Sequence, residues 1–143
     1  MKLNQVLALF LAVLFSVAPA LAVPTTLTVQ QGPSVYSTIA AAGATVTMTA
    51  GDSSNGNDFV SSGDEVVIVQ NTHATLAYTI TFTSVADVLG RTKDITTYSL
   101  AAGEIACFGP FPAHGWRQSG NKIKFTVSNA AIKVGLVRLP SNR

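Results

Sequence analysis

The chain has 143 residues, enough for one domain, with 48% hydrophobic and only 11% charged residues. An ordinary domain carries roughly 25% charged residues, so this surface is built from Thr, Ser, Asn, Gln and Gly, a composition common where copies of a protein bury one another. The net charge of +2 is too small to argue for a nucleic-acid partner, and the one cysteine, Cys107, excludes an internal disulfide.

Along the chain, Met1 to Gln5 carries one lysine, and Val6 to Val17 is apolar except for Ser16. Ala18-Pro-Ala-Leu-Ala22 follows, ending in an Ala-x-Ala cleavage pattern. A charged start, an apolar stretch of this length and a small-residue site together describe a secretory signal peptide. The stretch is short for a membrane span, which needs about 20 apolar residues. The expected organisation is a signal peptide-like hydrophobic segment over residues 1–22, cleaved after Ala22, and a β-sandwich domain over residues 23–143. Contact with a membrane would come only through the uncleaved segment.

Beyond it, Thr25 to Gln30 alternates at Leu27 and Val29 and predicts a strand. Gln31-Gly-Pro-Ser34 is a turn, residues 39–43 a small-residue link, and Thr45 to Thr49 a strand with Val46 and Met48 on one face. Asp52-Ser-Ser-Asn-Gly-Asn-Asp58 reads as an Asx-rich turn. It departs from a calcium loop, which wants glycine sixth and glutamate twelfth. Phe59-Val60 predicts a short edge strand. Glu65 to Gln70 holds Val66-Val-Ile-Val69, a run expected of a strand buried on both faces. Tyr78, Ile80 and Phe82 alternate with threonines as in a half-buried strand. Asp87 to Asp94 is a loop containing Gly90. Ile95–Leu100 and Glu104–Phe108 flank Ala101-Ala-Gly103 as in a hairpin. Gly109 to Gly120 is a long turn, and Lys122–Val127 and Ile132–Leu139 are the last strands. Seven or eight short strands with regular turn signals predict an all-β fold, a single antiparallel β-sandwich of jelly-roll or immunoglobulin-like type.

Charge is unevenly distributed. From Val23 to Gly90 the charged residues are Asp52, Asp58, Asp64, Glu65 and Asp87, with no base; from Arg91 onward there are eight bases against Asp94 and Glu104. By counting, the two halves carry −5 and +6. Either the fold interleaves the halves, or complementary edges meet on neighbouring subunits. The bases are too dispersed for a nucleic-acid footprint.

No motif points to catalysis. There is no Gly-x-Ser-x-Gly elbow, no phosphate loop and no dinucleotide fingerprint. His73, His114 and Cys107 lack the short spacing of zinc ligands. Cys107, between Ala106 and Phe108, is expected to be a small buried hydrophobe. No enzyme activity, cofactor or metal is expected. Phe108, Pro110, Phe111 and Pro112 form an apolar, rigid corner, since proline fixes the backbone and removes donors. Trp116, the one tryptophan, precedes Arg117; it is suited to covering the end of a sandwich or to an interface core, or less readily to stacking on a sugar. Phe108, Pro110, Phe111, Pro112, Trp116 and Arg117 are the candidate contact residues.

Several phrases occur in an order and spacing that resembles phage head decoration (capsid cement) proteins. They are Asn55-Gly-Asn57 before Phe59, Glu65-Val-Val-Ile-Val-Gln-Asn71, Thr79-Ile-Thr-Phe-Thr-Ser-Val85, Gly90-Arg-Thr-Lys-Asp-Ile95, Tyr98-Ser-Leu-Ala-Ala-Gly103, Phe108-Gly-Pro-Phe111, Gly115-Trp-Arg-Gln-Ser119 and Val137-Arg-Leu-Pro140. The resemblance implies a β-sandwich or jelly-roll domain, often a trimer, that binds itself and a major capsid protein on the outside of a virion, with no active site. The leader departs from that pattern, because a decoration protein assembles inside the cell. It fits instead a secreted or cell-surface β-sandwich used for adhesion or binding, or an extracellular filament subunit. Kept uncleaved, the segment would suit an arm packed on a neighbouring subunit.

Overall fold

Alternating apolar and polar residues give strands with one buried face, and two such sheets can hide their apolar faces only against each other. The computed structural model describes residues 22–32 and 45–140. The leader-like segment, the link at 39–43 and the end of the turn at 31–34 lie outside the described residues. The strands are β1 (Thr25–Thr26), β2 (Gln30–Gln31), β3 (Thr49–Ala50), β4 (Asn57–Val60), β5 (Glu65–Asn71), β6 (Tyr78–Thr83), β7 (Ile95–Leu100), β8 (Ile105–Phe108), β9 (Lys122–Val127) and β10 (Ile132–Arg138). One sheet has the order β1-β4-β9-β6-β7; the other has β2-β10-β5-β8, with β3 also paired to β10. The protein is an all-β sandwich. Its longer strands pair antiparallel, while β1 with β4 and β2 with β10 pair in parallel over two residues each, so both sheets are mixed.

The core follows the alternation. Ile80 and Phe82 of β6, Ile123, Phe125 and Val127 of β9, and Phe59 of β4 face Val67 and Val69 of β5 and Ile132, Val134 and Leu136 of β10, all buried. Phe82 is at the centre, 5.0 Å from the rings of Phe108 and Phe111 and 5.4 Å from Phe125.

Four sequence expectations change. Thr25–Gln30 is not one strand: β1 pairs in the first sheet, β2 in the second, and buried Leu27 lies where the chain passes between them. Only Thr49 of the expected Thr45–Thr49 strand belongs to β3, though Val46 and Met48 do share a face. They fill the space over Gly135, where a Cβ would lie 2.6 Å from Val46 Cγ1 and Met48 Sδ. β5 is buried on one face, and Val66 and Ile68 on the other are only half-buried. Finally, β7 and β8 form no hairpin. β7 pairs with β6 and β8 with β5, so Ala101–Glu104 carries the chain from one sheet to the other.

Buried polar side chains secure these passages, as they must where backbone leaves a ladder. Asn71 donates its amide to the carbonyls of Leu76, Leu100 and Ala101 at 2.8–3.1 Å and accepts the His73 N–H. Between β4 and β5, the Glu65 carboxylate accepts bonds from Ser61, Ser62 and Gly63 and from Arg138 Nε at 2.8 Å. Asp58, also buried, binds the Thr26 hydroxyl and Lys122 Nζ, tying β1 to β4 and β9. Ion pairs Asp58–Lys122, Glu65–Arg138 and Asp87–Arg91 each join an acid of the first half to a base of the second. Two of these pairs join distant segments, so folding interleaves part of the charge asymmetry.

Candidate functional site

The expected contact residues come together at one end of the sandwich, in the corner after β8. Phe108 is half-buried and Phe111 buried, both against Phe82, and Trp116 lies on Phe111 at 4.9 Å. These three rings close the core. Pro110 and Pro112 are exposed and, with Ser62, Gly63 and Asp64, line a shallow hollow. The chain can approach β5 so closely because residue 109 is glycine: its φ is 98°, and a Cβ would lie 2.7 Å from the Glu65 carbonyl oxygen. Arg117 is half-buried; a terminal nitrogen would lie 3.9 Å from a Cβ at Gly63, and the side chain also lines a second surface, described below.

The side of the sandwich where β7 and β8 end the two sheets is open. Both are outermost strands with unpaired backbone groups along their free edges. Alternation turns Ala106 and Phe108 inward and leaves Ile105 (61% exposed) and Cys107 outward. The expectation of a buried Cys107 is thus corrected: the apolar run around it is real, but the thiol occupies the solvent phase of the alternation. Tyr98 of β7, also exposed, meets Phe108 edge-on at 5.1 Å and bridges the two sheets.

A third feature was not foreseen. The loop from Val85 to Lys93 and the turn from Ala113 to Arg117 enclose a groove of about 310 Å³ whose polar lining is Asp87, Arg91, Lys93, His114 and Arg117. The Val85 N–H donates to the Gly115 carbonyl at 2.7 Å and locks the two walls together. Asp87 shapes the loop by accepting the N–H groups of Leu89 and Arg91 and by its ion pair with Arg91 at 2.8 Å. The Arg91 N–H is the chief reason its carboxyl lies below the usual range. At the loop base the Ser84 hydroxyl donates to Asp94, lowering that carboxyl too, and accepts the Lys93 N–H. Arg117 Nε is buried with no hydrogen-bond partner among the described residues.

The sequence does not reveal this groove, because its walls lie 20 or more residues apart and His114 stands out there only as a possible ligand or catalytic histidine, not as part of a basic lining. The usable sign was Val88-Leu89, an apolar pair inside a polar, glycine-containing loop, followed at once by Arg91 and Lys93. Among the described residues, no three His, Cys, Asp or Glu side chains gather as metal ligands would. His73 instead accepts the N–H groups of Thr75 and Leu76 within its own turn. No described helix is long and apolar enough to cross a membrane. Comparison of the chain with protein-family models, with curated proteins and with solved structures returns no match.

Proposed function

We propose that the chain is a non-enzymatic structural protein that works through subunit contacts, decorating or cementing a phage capsid as a homo-oligomer seated on a major capsid protein. The observation that carries this reading is the open side formed by β7 and β8, with Tyr98, Ile105 and Cys107 exposed on two unpaired strand edges. Such edges promote pairing with another chain unless they are covered. Burying apolar surface there yields about 25 cal/mol per Å², and an interface of ordinary size removes roughly 800 Å² from each partner, so lateral contacts can strengthen a shell without chemistry. The resemblance of the ordered phrases to those of decoration proteins favours a capsid as the surface to be covered.

The leader-like segment favours a second role, an exported β-sandwich for adhesion or binding at the cell surface. One experiment separates the two. Mass spectrometry of density-gradient fractions from the source culture should find the protein at capsid density. Protein confined to soluble or envelope fractions, with Val23 as its first residue, would reject the capsid role and leave the exported one.

A further inference from the structure

We infer that the groove between the Val85–Lys93 loop and the Ala113–Arg117 turn binds an acidic protein segment, seating a carboxylate on Arg117 and Lys93 while an apolar neighbour in that segment packs on Val88 and Leu89. This goes beyond the assembly role proposed above and does not rest on it, since the groove is distinct from the β7–β8 edge.

Charge is the first ground. Arg91, Lys93, Arg117 and His114 line the groove against a single carboxylate, Asp87, which is already engaged by Arg91 and by two backbone N–H groups. The other acids that form ion pairs, Asp58 and Glu65, are committed to Lys122 and Arg138. Lys93 and Arg117 thus line the groove without a direct ion pair among the described residues, although Lys93 is near enough for its charge to act on Asp87. The second ground is Arg117 itself: it lines the groove and forms no ion pair among the described residues, and a guanidinium is weakly hydrated and suited to carboxylate recognition.

The third ground separates a protein from other anions. Val88 is 97% and Leu89 71% exposed, at the tip of the loop that forms one wall. The tip is held in shape: the Gly90 N–H bonds the Asp87 carbonyl, the Asp87 N–H bonds the Arg91 carbonyl, and the Asp87 side chain binds two further N–H groups. An apolar pair held out into water by a rigid loop costs solubility and yields contact area only when a partner covers it. Inorganic anions have no use for it. An acidic sugar chain would want aromatic faces, and no Phe, Tyr or Trp lines the groove. The volume is at the small end of ligand sites, enough for one or two side chains of an extended segment.

The test is titration of the full chain with a short synthetic peptide, Leu-Glu-Glu-Leu flanked by glycines, read by the fluorescence of Trp116, the only tryptophan and the neighbour of Arg117. Saturable binding is expected, weakened at least ten-fold by Arg117→Gln, by Lys93→Gln and by the pair Val88→Ser with Leu89→Ser, and weakened by salt. Lys93 is exposed, so its variant keeps the fold even if loss of Arg117 disturbs the turn. Lys124→Gln and Lys133→Gln, on other strands, should leave affinity unchanged. The inference is overturned if the peptide fails to bind at millimolar concentration, or if the glutamine version binds equally well. It is also overturned if phosphate or a uronate oligosaccharide matches the peptide, or if the Lys124 and Lys133 variants lose as much affinity as the groove variants.

Discussion

Glu65 is a charged side chain at a position where the core would accept only apolar atoms, and it is held there by its bonds. Burial pushes its pKa up; the N–H and hydroxyl of Ser62, the Arg138 guanidinium and the Ser61 hydroxyl outweigh burial and bring it from 4.5 to about 2. A carboxyl whose folded pKa is depressed stabilises the fold above its unfolded pKa, and that stability is lost as pH falls through the folded value. The window here runs from about 4.5 down to about 2, and the contribution is on the order of 3 kcal/mol. Glu65→Gln should lower the unfolding free energy at pH 7 by a comparable amount, since Arg138 and the turn lose their shared acceptor. It should also flatten the acid dependence across that window in urea titrations; parallel acid curves for the two proteins would place the sensitivity elsewhere. In the sequence, Glu65 was simply the residue beside Asp64. Nothing local distinguishes a carboxylate that will fold back over Ser61-Ser-Gly63 from one that will face water.

At the scale of elements, the strands themselves were legible and their partners were not. β6 and β9 carry clean alternation, and their apolar positions are the buried ones. The segment around Ala101-Ala-Gly103 looked like a hairpin because a turn between two strands is the same local grammar whether the strands pair or separate. The difference lies in Asn71, some 30 residues away, whose amide and backbone take the carbonyls and N–H groups at the crossing and fix β8 beside β5. The corner of Phe108, Pro110, Phe111, Pro112 and Trp116 was visible as a cluster, yet which rings would be spent on the core depended on where Phe82 falls. Separation of β7 and β8 also creates the open edge. Ile105→Lys on that edge should abolish concentration-dependent association in sedimentation velocity while moving thermal stability by only about 0.5 kcal/mol, as for an ordinary surface change. Undiminished association would remove β8 from the subunit contact.

At the scale of the whole molecule, composition and strand spacing suffice for an all-β sandwich, while sheet order stays out of reach because it is written in pairings between distant segments. The charge imbalance of the two halves, conspicuous in one dimension, is about halved by three ion pairs, two of which join distant segments. The same interleaving governs how the chain can reach this state. Of the strand pairs described, only β6 with β7 joins neighbours in sequence. Every other pairing must close a long loop before its bonds repay the lost entropy, so folding on a time scale of milliseconds to seconds is expected. The β6–β7 ribbon is then the natural place for order to start. Ile80→Val in β6 should mainly slow refolding, whereas Ile132→Val in β10 should mainly speed unfolding, each at an equilibrium cost of about 1 kcal/mol in stopped-flow denaturant series. The reverse pattern would move the nucleus to the β5–β10 pair. A chain that assembles so late, with its outer strands last to find partners, spends its slowest moments with apolar edges uncovered, and this is when a neighbouring copy has the longest opportunity to take their place.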